Sequence, residues 1–246
     1  MTGRRFFRIL AISLVALHAP SILTAQELSI ALGENGSITG TSVQLIALIT
    51  ILSVAPGLAI MLTCFPMIVT VLSILRQGIG LQQSPPNIFI VSLALFLTYF
   101  VMEPVFQDAW RLGISPMISE EIDAEAGLTR ALGPFRDFMA GRLDFSTFEA
   151  MAALRPDYSE AQDLRDSPLS ILIPSFLLSE ISRAFQIGFL VFLPFLIIDI
   201  VVAAVLMSMG MMMVPPALVS LPFKLSFFVL ADGWSLISAS LVSGYL

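Results

Sequence analysis

The chain has 246 residues, of which 57% are hydrophobic and only 12% are charged. A soluble domain of this length needs a far larger polar surface, so the composition is typical of an integral membrane protein. The net charge of −6 and the single lysine argue against a nucleic-acid-binding protein, which needs a basic surface. With one cysteine and one histidine, the chain can form no internal disulfide and offers little for histidine-based catalysis.

Residues 1–25 have the pattern of a secretory signal peptide. Three arginines form a basic start, the apolar run 9–19 is too short to span a membrane, and Ala25 is a small residue at a plausible cleavage site. An uncleaved anchor is the alternative. Residues 26–42 are polar and contain glycine, so we expect them to form an exposed N-terminal tail.

Residues 43–106 form the first of two expected hydrophobic hairpins. Its first arm, 43–75, carries no charge and is longer than the roughly 20 residues that a simple span needs. Pro56 and Pro66 interrupt this arm, which predicts a kinked or broken helix. A link that contains glycine and proline leads to a second apolar run, which ends near Glu103.

Residues 107–168 form a polar, acidic segment between the two hydrophobic halves. This segment holds twelve of the eighteen acidic residues and six of the twelve basic ones, so it carries the whole net charge. Leu128, Leu132 and Phe135 recur at helical spacing, which predicts short amphipathic helices. We expect the charges to form a solvated, extracytoplasmic face.

Residues 169–246 form the second hydrophobic hairpin, and its turn is rich in methionine. Methionine is unbranched, flexible and polarisable. Such side chains from several copies could close around a hole and part for a passing polypeptide, whereas ordinary packing against lipid or protein is the alternative. Gly210 lies within the run and two prolines end it. The candidate gasket residues are Met207, Met209, Met211, Met212 and Met213.

Five charged residues lie within the second hairpin: Glu180, Arg183, Asp199, Lys224 and Asp232. Charges at membrane depth are costly, so they usually pair or line a polar cavity. Glu180 and Arg183 are three residues apart and can pair on one helix face. Asp199 and Lys224 flank the methionine-rich turn and can pair within the hairpin. Alternatively, Lys224 meets Glu180 or Asp199 of a neighbouring copy, and we expect this contact between subunits.

Two other functions are compatible with a membrane protein of this kind. A proton or ion relay through the buried acids would make the chain a coupled transporter. An intramembrane enzyme is disfavoured, because the sequence contains neither HExxH nor GxGD and only His18 as a histidine. We therefore expect no catalytic residues, no metal and no cofactor.

Several motifs of the chain are highly specific. Residues 174–234 contain FLPFLIID, SMGMMMVPP and LPFKL, and residues 72–86 and 100–104 add further matches. On these motifs the sequence resembles the FliP family of flagellar export-gate proteins, which includes counterparts from virulence injectisomes. The leader and the DGW element fit the flagellar branch better, and an injectisome gate subunit is the alternative.

The resemblance implies an all-α fold of two kinked hydrophobic hairpins, several copies of which, a pentamer in the family, wind into a helical ring. FliQ-like and FliR-like subunits complete this ring at the flagellar basal body in the inner membrane, in a complex raised toward the periplasm. Unfolded flagellar subunits pass through its pore, and FlhA-like and FlhB-like components supply energy. The methionine loop seals the closed pore in the family, and Phe185 and Phe189 are candidates for a further constriction.

Overall fold

The computed structural model describes residues 38–81, 85–155, 164–211 and 213–245, and within these ranges the regular structure is all helical. The signal peptide expected at residues 1–25 lies outside the described residues. The chain divides into two units, Met1–Pro56 and Gly57–Leu246, of which the second contains most of the fold.

Nine α-helices follow one another in the described ranges. A π-helical turn, Trp110–Ile114, joins the third to the fourth, and a 3-10 turn, Leu164–Asp166, precedes the seventh. The helices are α1 (Ile38–Met61), α2 (Phe65–Ile79), α3 (Asn87–Ala109), α4 (Ser115–Ile118), α5 (Ala124–Arg142), α6 (Phe145–Ala152), α7 (Leu169–Ser208), α8 (Pro216–Leu230) and α9 (Gly233–Ser243).

Two stretches of the described residues are long and apolar enough to cross a membrane, Asn87–Ile118 and Leu169–Ser208. The pair α8 and α9 is bent by 60° and would make a third if it crosses as one broken span. The all-α, membrane-type fold class is therefore confirmed.

The first arm is broken at residues 62–64, between α1 and α2. Pro66 lies in the first turn of α2, where the N–H that proline lacks would have no helical partner in any case. Pro56 lies inside α1 and does not end it. Helix α1 begins at Ile38, so the last residues of the expected tail are helical.

Helix α2 forms the centre of the main core. Its buried positions follow a helical repeat and contact α3, α7 and α8, which surround it. Because almost every turn of α2 is covered, it is a core helix of the protein and not a lipid-facing one. Its buried hydrophobic residues are Met67, Ile68, Val71, Leu72, Leu75 and Ile79.

Two glycines let α2 and α7 approach closely. A Cβ added at Gly188 of α7 would lie 2.4 Å from Cδ1 of Ile74, and one added at Gly78 would lie 2.9 Å from the ring of Phe195. Both distances are shorter than any ordinary carbon contact. Glycine at these positions therefore sets the spacing of the two helices.

The polar segment departs from its expected start. The first hairpin was expected to end at residue 106. Helical structure continues past this residue, through the π-turn, to Ile118. Helices α5 and α6 then follow, and each begins at an aspartate. The carboxylate of Asp123 accepts a hydrogen bond from the N–H of Ala126, and that of Asp144 accepts one from Thr147.

The second hydrophobic half is also not a simple hairpin. Helix α7 runs for 40 residues through Pro174 and Pro194 without ending. Its return arm breaks between α8 and α9, where Asp232 adopts a left-handed backbone with φ of 48°. The Asp-Gly pair at this position is a turn signal that the sequence interpretation overlooked.

Candidate functional site

The methionine loop, residues 207–213, begins at a glycine cap on α7. Gly210 has φ of +76°, which costs glycine little because it has no Cβ. The N–H of Met211 donates to the carbonyl of Leu206 at 3.0 Å, and the N–H of Gly210 donates to that of Met207 at 3.1 Å. This pair of bonds is a Schellman motif, so α7 has a defined end and the loop a defined start.

The described methionines of this loop are exposed on the single chain. Met207, Met209 and Met211 are exposed, and Met213 is 97% exposed. Met212 lies outside the described residues. Large apolar side chains grouped on a surface indicate contact with lipid or with another protein. Their assignment as a gasket stays a prediction.

An apolar groove of about 570 Å³ lies beside the loop, between α7 and α8. Met209 and Met211 of the loop line it, together with aliphatic side chains of α7 and with Val219 and Phe223 of α8. Every residue along the groove is apolar. The methionine loop is thus the end of a continuous apolar surface.

Lys224 connects three helices below the loop. Its Nζ lies 2.6 Å from Oδ2 of Asp199 in α7 and donates a hydrogen bond to the carbonyl of Gly78 in α2 at 3.0 Å. The hydroxyl of Ser220 donates to Oδ1 of Asp199 at 2.6 Å. Both carboxylate oxygens are therefore engaged, which favours a structural role for Asp199 over a proton relay.

Glu180 is the centre of a second buried cluster. Its Oε1 lies 3.8 Å from Nε of Arg142 and 3.9 Å from Nη1 of Arg183, and its Oε2 accepts a hydrogen bond from the hydroxyl of Tyr245. The guanidinium of Arg142 also stacks 4.0 Å above the Tyr245 ring. Burial and the Glu180 carboxylate raise the pKa of Tyr245 well above its usual range, so its hydroxyl remains a donor.

Both charge clusters have partners within one chain. The structure brings Asp199 to Lys224 and Glu180 to Arg183, and the expected contacts between subunits stay predictions. Sequence reasoning missed Arg142 and Tyr245, which meet Glu180 from distant parts of the chain. No local sequence pattern distinguishes either residue. Arg142, for example, resembles the other arginines of the acidic segment.

Phe185 and Phe189 lie one turn apart on α7 and therefore on one face of it. Both rings are exposed on the single chain. Their role in a second constriction stays a prediction. Within the described ranges, no group of three potential ligand side chains comes together as a metal site, and Cys64 is buried with a free thiol.

The fold and these clusters define an all-helical, membrane-type protein in which two charge clusters join the helices and large apolar side chains of α7 and of the methionine loop are exposed. The model of the FliP family matches residues 48–241 of the chain. The chain therefore belongs to the FliP family, which confirms the resemblance.

Three relatives illustrate how far the similarity extends. The chain is 45% identical to the flagellar biosynthetic protein FliP of Caulobacter vibrioides over 237 residues. These residues make up 96% of this chain and 89% of that protein. It is 42% identical over 244 residues to the FliP of Agrobacterium fabrum, with coverage of 97% and 99%. It is 45% identical over 208 residues to that of Bacillus subtilis, with coverage of 83% and 92%.

Proposed function

We propose that several copies of this chain form the core pore of the flagellar type III export gate in the bacterial inner membrane. Unfolded flagellar subunits pass through this pore, and the methionine loop seals it when it is closed. The observation that carries the proposal is the exposure of Met207, Met209, Met211 and Met213 at the glycine-capped end of α7.

Assembly into a ring accounts for the exposed apolar surface of α7. Only 11% of the most apolar stretch of this helix is buried within the chain. Phe185 and Phe189 belong to that exposed surface, so neighbouring copies or lipid must cover them. We propose a pentamer, as in the family, together with FliQ-like and FliR-like subunits, in a complex raised toward the periplasm.

A methionine seal suits a pore for chemically diverse cargo. A narrow apolar constriction excludes water and ions by dewetting. Methionine side chains have three rotatable bonds and no fixed shape, so they adapt to whatever segment passes. A rigid or specific binding site would instead retain some segments of an unfolded chain and stall export.

The energy for export comes from FlhA-like and FlhB-like components in this proposal. The four charged residues of α7 and α8 that sequence analysis singled out all have ionic partners within the chain. Ion pairs of this kind are typical of structural contacts that hold helices in place. The chain thus acts as a passive conduit.

Cysteine cross-linking tests whether the loops of several copies meet. Met213→Cys places a thiol at the most exposed of the described loop positions, and the native Cys64 is fully buried and unreactive toward another subunit. In membranes that contain the FliQ-like and FliR-like partners, we expect oxidation to link Met213→Cys chains into dimers.

Leu230→Cys at the far end of α8 is the matched control, because Leu230 is also exposed. It should link much less. The proposal is wrong if the complex co-purifies and yet the loop cysteines do not link, or if both positions link equally.

A further inference from the structure

The methionine loop concentrates exposed thioether sulfur in one place. Its four described methionines, Met207, Met209, Met211 and Met213, are all exposed. Outside the loop, Met61 is the only exposed methionine among the described residues. Oxidation of sulfur follows its exposure, so a small oxidant in water meets the loop first. Three core methionines, in contrast, have almost no contact with solvent: Met67, Met102 and Met139.

The single cysteine of the chain does not compete for the oxidant. A thiolate is the cysteine form that reacts, and its formation requires access to water. The thiol of Cys64 is fully buried within the main core, and a buried structural cysteine is inert. The exposed sulfur of the described residues therefore lies mainly in the methionine loop.

Oxidation would change how the loop packs. Met209 and Met211 line the apolar groove between α7 and α8, and every residue along that groove is apolar. A sulfoxide carries a polar S=O group that accepts hydrogen bonds, and burying such a group without a donor is costly. The oxidised side chains therefore fit the groove poorly and favour water.

We propose that the methionine loop is a site of reversible oxidation by hydrogen peroxide, and that this oxidation opens the seal. The sulfur lone pair attacks one peroxide oxygen, so an S–O bond forms, the O–O bond breaks and hydroxide leaves. The proton of the transferred hydroxyl passes to this hydroxide, which gives the sulfoxide and one water. Sulfur loses two electrons and the peroxide gains them. Methionine sulfoxide reductases reverse the step with a dithiol, which becomes a disulfide as water is released.

The effect on the seal rests on the proposed function, whereas the site of oxidation does not. An apolar constriction excludes water by dewetting, so it needs an apolar lining. In the ring that we propose, the loops of several copies meet, and their sulfoxide oxygens collect at the constriction. The closed pore then admits water and ions.

Peptide mapping by mass spectrometry tests the site on the full chain purified in detergent and treated with hydrogen peroxide. Sulfoxide should form at Met209 and Met213 about tenfold faster than at the buried Met102 and Met139. The two stereospecific methionine sulfoxide reductases, supplied with dithiothreitol, should remove it. Circular dichroism checks that the chain stays folded. Equal rates in the loop and the core of the folded chain overturn the site.

Ion conductance across bilayers that contain the complex with its FliQ-like and FliR-like partners tests the effect on the seal. Peroxide should raise the conductance, and the reductases should return it to its starting value. Leucine at all five methionines of the loop leaves no thioether there, so peroxide should no longer raise the conductance. Met61→Leu is the matched control, because it removes an exposed thioether outside the loop, and it should respond as the parent does.

Two results overturn the effect on the seal. One is an equal response to peroxide in the leucine variant and the parent. The other is an unchanged conductance of the parent after its loop has been oxidised, in a complex whose Met213→Cys loops cross-link. If those loops do not cross-link, the proposed function fails and the effect on the seal fails with it. The peptide map still decides whether the loop is the oxidation site.

Discussion

The ammonium of Lys224 lies 2.6 Å from a carboxylate oxygen of Asp199, although the two residues are 25 positions apart and belong to different helices. Lys224→Met should leave the Asp199 carboxylate without its cation. Breaking a buried pair costs 3–5 kcal/mol, and the partial exposure of Asp199 places the expected loss of unfolding free energy near the lower limit, about 3 kcal/mol. Chemical denaturation in detergent measures it.

The double variant Asp199→Asn/Lys224→Met should recover part of that loss, because it leaves no unpaired charge. Asp108→Asn removes one partner of the exposed pair with Arg111 and should cost less than about 1 kcal/mol. If Lys224→Met and Asp108→Asn have equal effects, the Lys224 pair does not stabilise the fold.

Tyr245→Phe removes the hydroxyl that donates to the fully buried Glu180 and leaves the ring in place. A buried carboxylate oxygen without its donor costs about 1–3 kcal/mol, so the unfolding free energy should fall by that amount. Tyr99→Phe is the control, since Tyr99 is exposed and should tolerate the same change. Equal stability of the two variants would contradict the role assigned to the Tyr245 hydroxyl.

Gly113→Ala should disrupt the contact between the π-helical turn and α5. A Cβ at Gly113 would lie 2.4 Å from the backbone nitrogen of Ala131 and 2.5 Å from the carbonyl oxygen of Gly127, and backbone atoms cannot move aside as a side chain can. The expected loss of stability is about 3 kcal/mol, the upper end for overpacking. Gly141→Ala in α5 meets no atom within 4 Å and should be neutral or slightly stabilising. The midpoints of thermal unfolding of the two variants measure this difference in stability.

Alanine at Met209, Met211 and Met213 together should leave assembly intact and make the closed pore leak ions. The alanines would shorten the apolar side chains that we propose to exclude water. Conductance across bilayers that contain the purified complex measures the leak. Leu230→Ala shortens an equally apolar, exposed side chain away from the loop and should leave the conductance low. A triple variant that assembles and does not leak would place the seal elsewhere.

Composition and short motifs predicted the helical, membrane-type class, because that class depends on local apolar runs and on their punctuation by glycine and proline. The break before Pro66 follows from the same local chemistry. The meeting of Arg142 and Tyr245 at Glu180 was beyond prediction, since packing of α5, α7 and α9 alone decides which distant side chains coincide. The extension of the helix to Ile118 was not predicted, because the charged residues that begin near Glu103 were taken as the end of the hairpin. The helical backbone hydrogen bonds continue past these residues.

The anchoring of Lys224 to both Asp199 and Gly78 has a mechanical consequence for the loop. The middle of α8 is held to α7 and α2 by direct polar contacts of Lys224, so swinging this helix outward would first require those contacts to break. Among the described residues between Ser208 and Pro216, 209–211 and 213–215, none makes such a polar contact with α2. In the pore that we propose, the displacement caused by a passing chain would therefore be concentrated in this short loop, while the helices on either side stay in place.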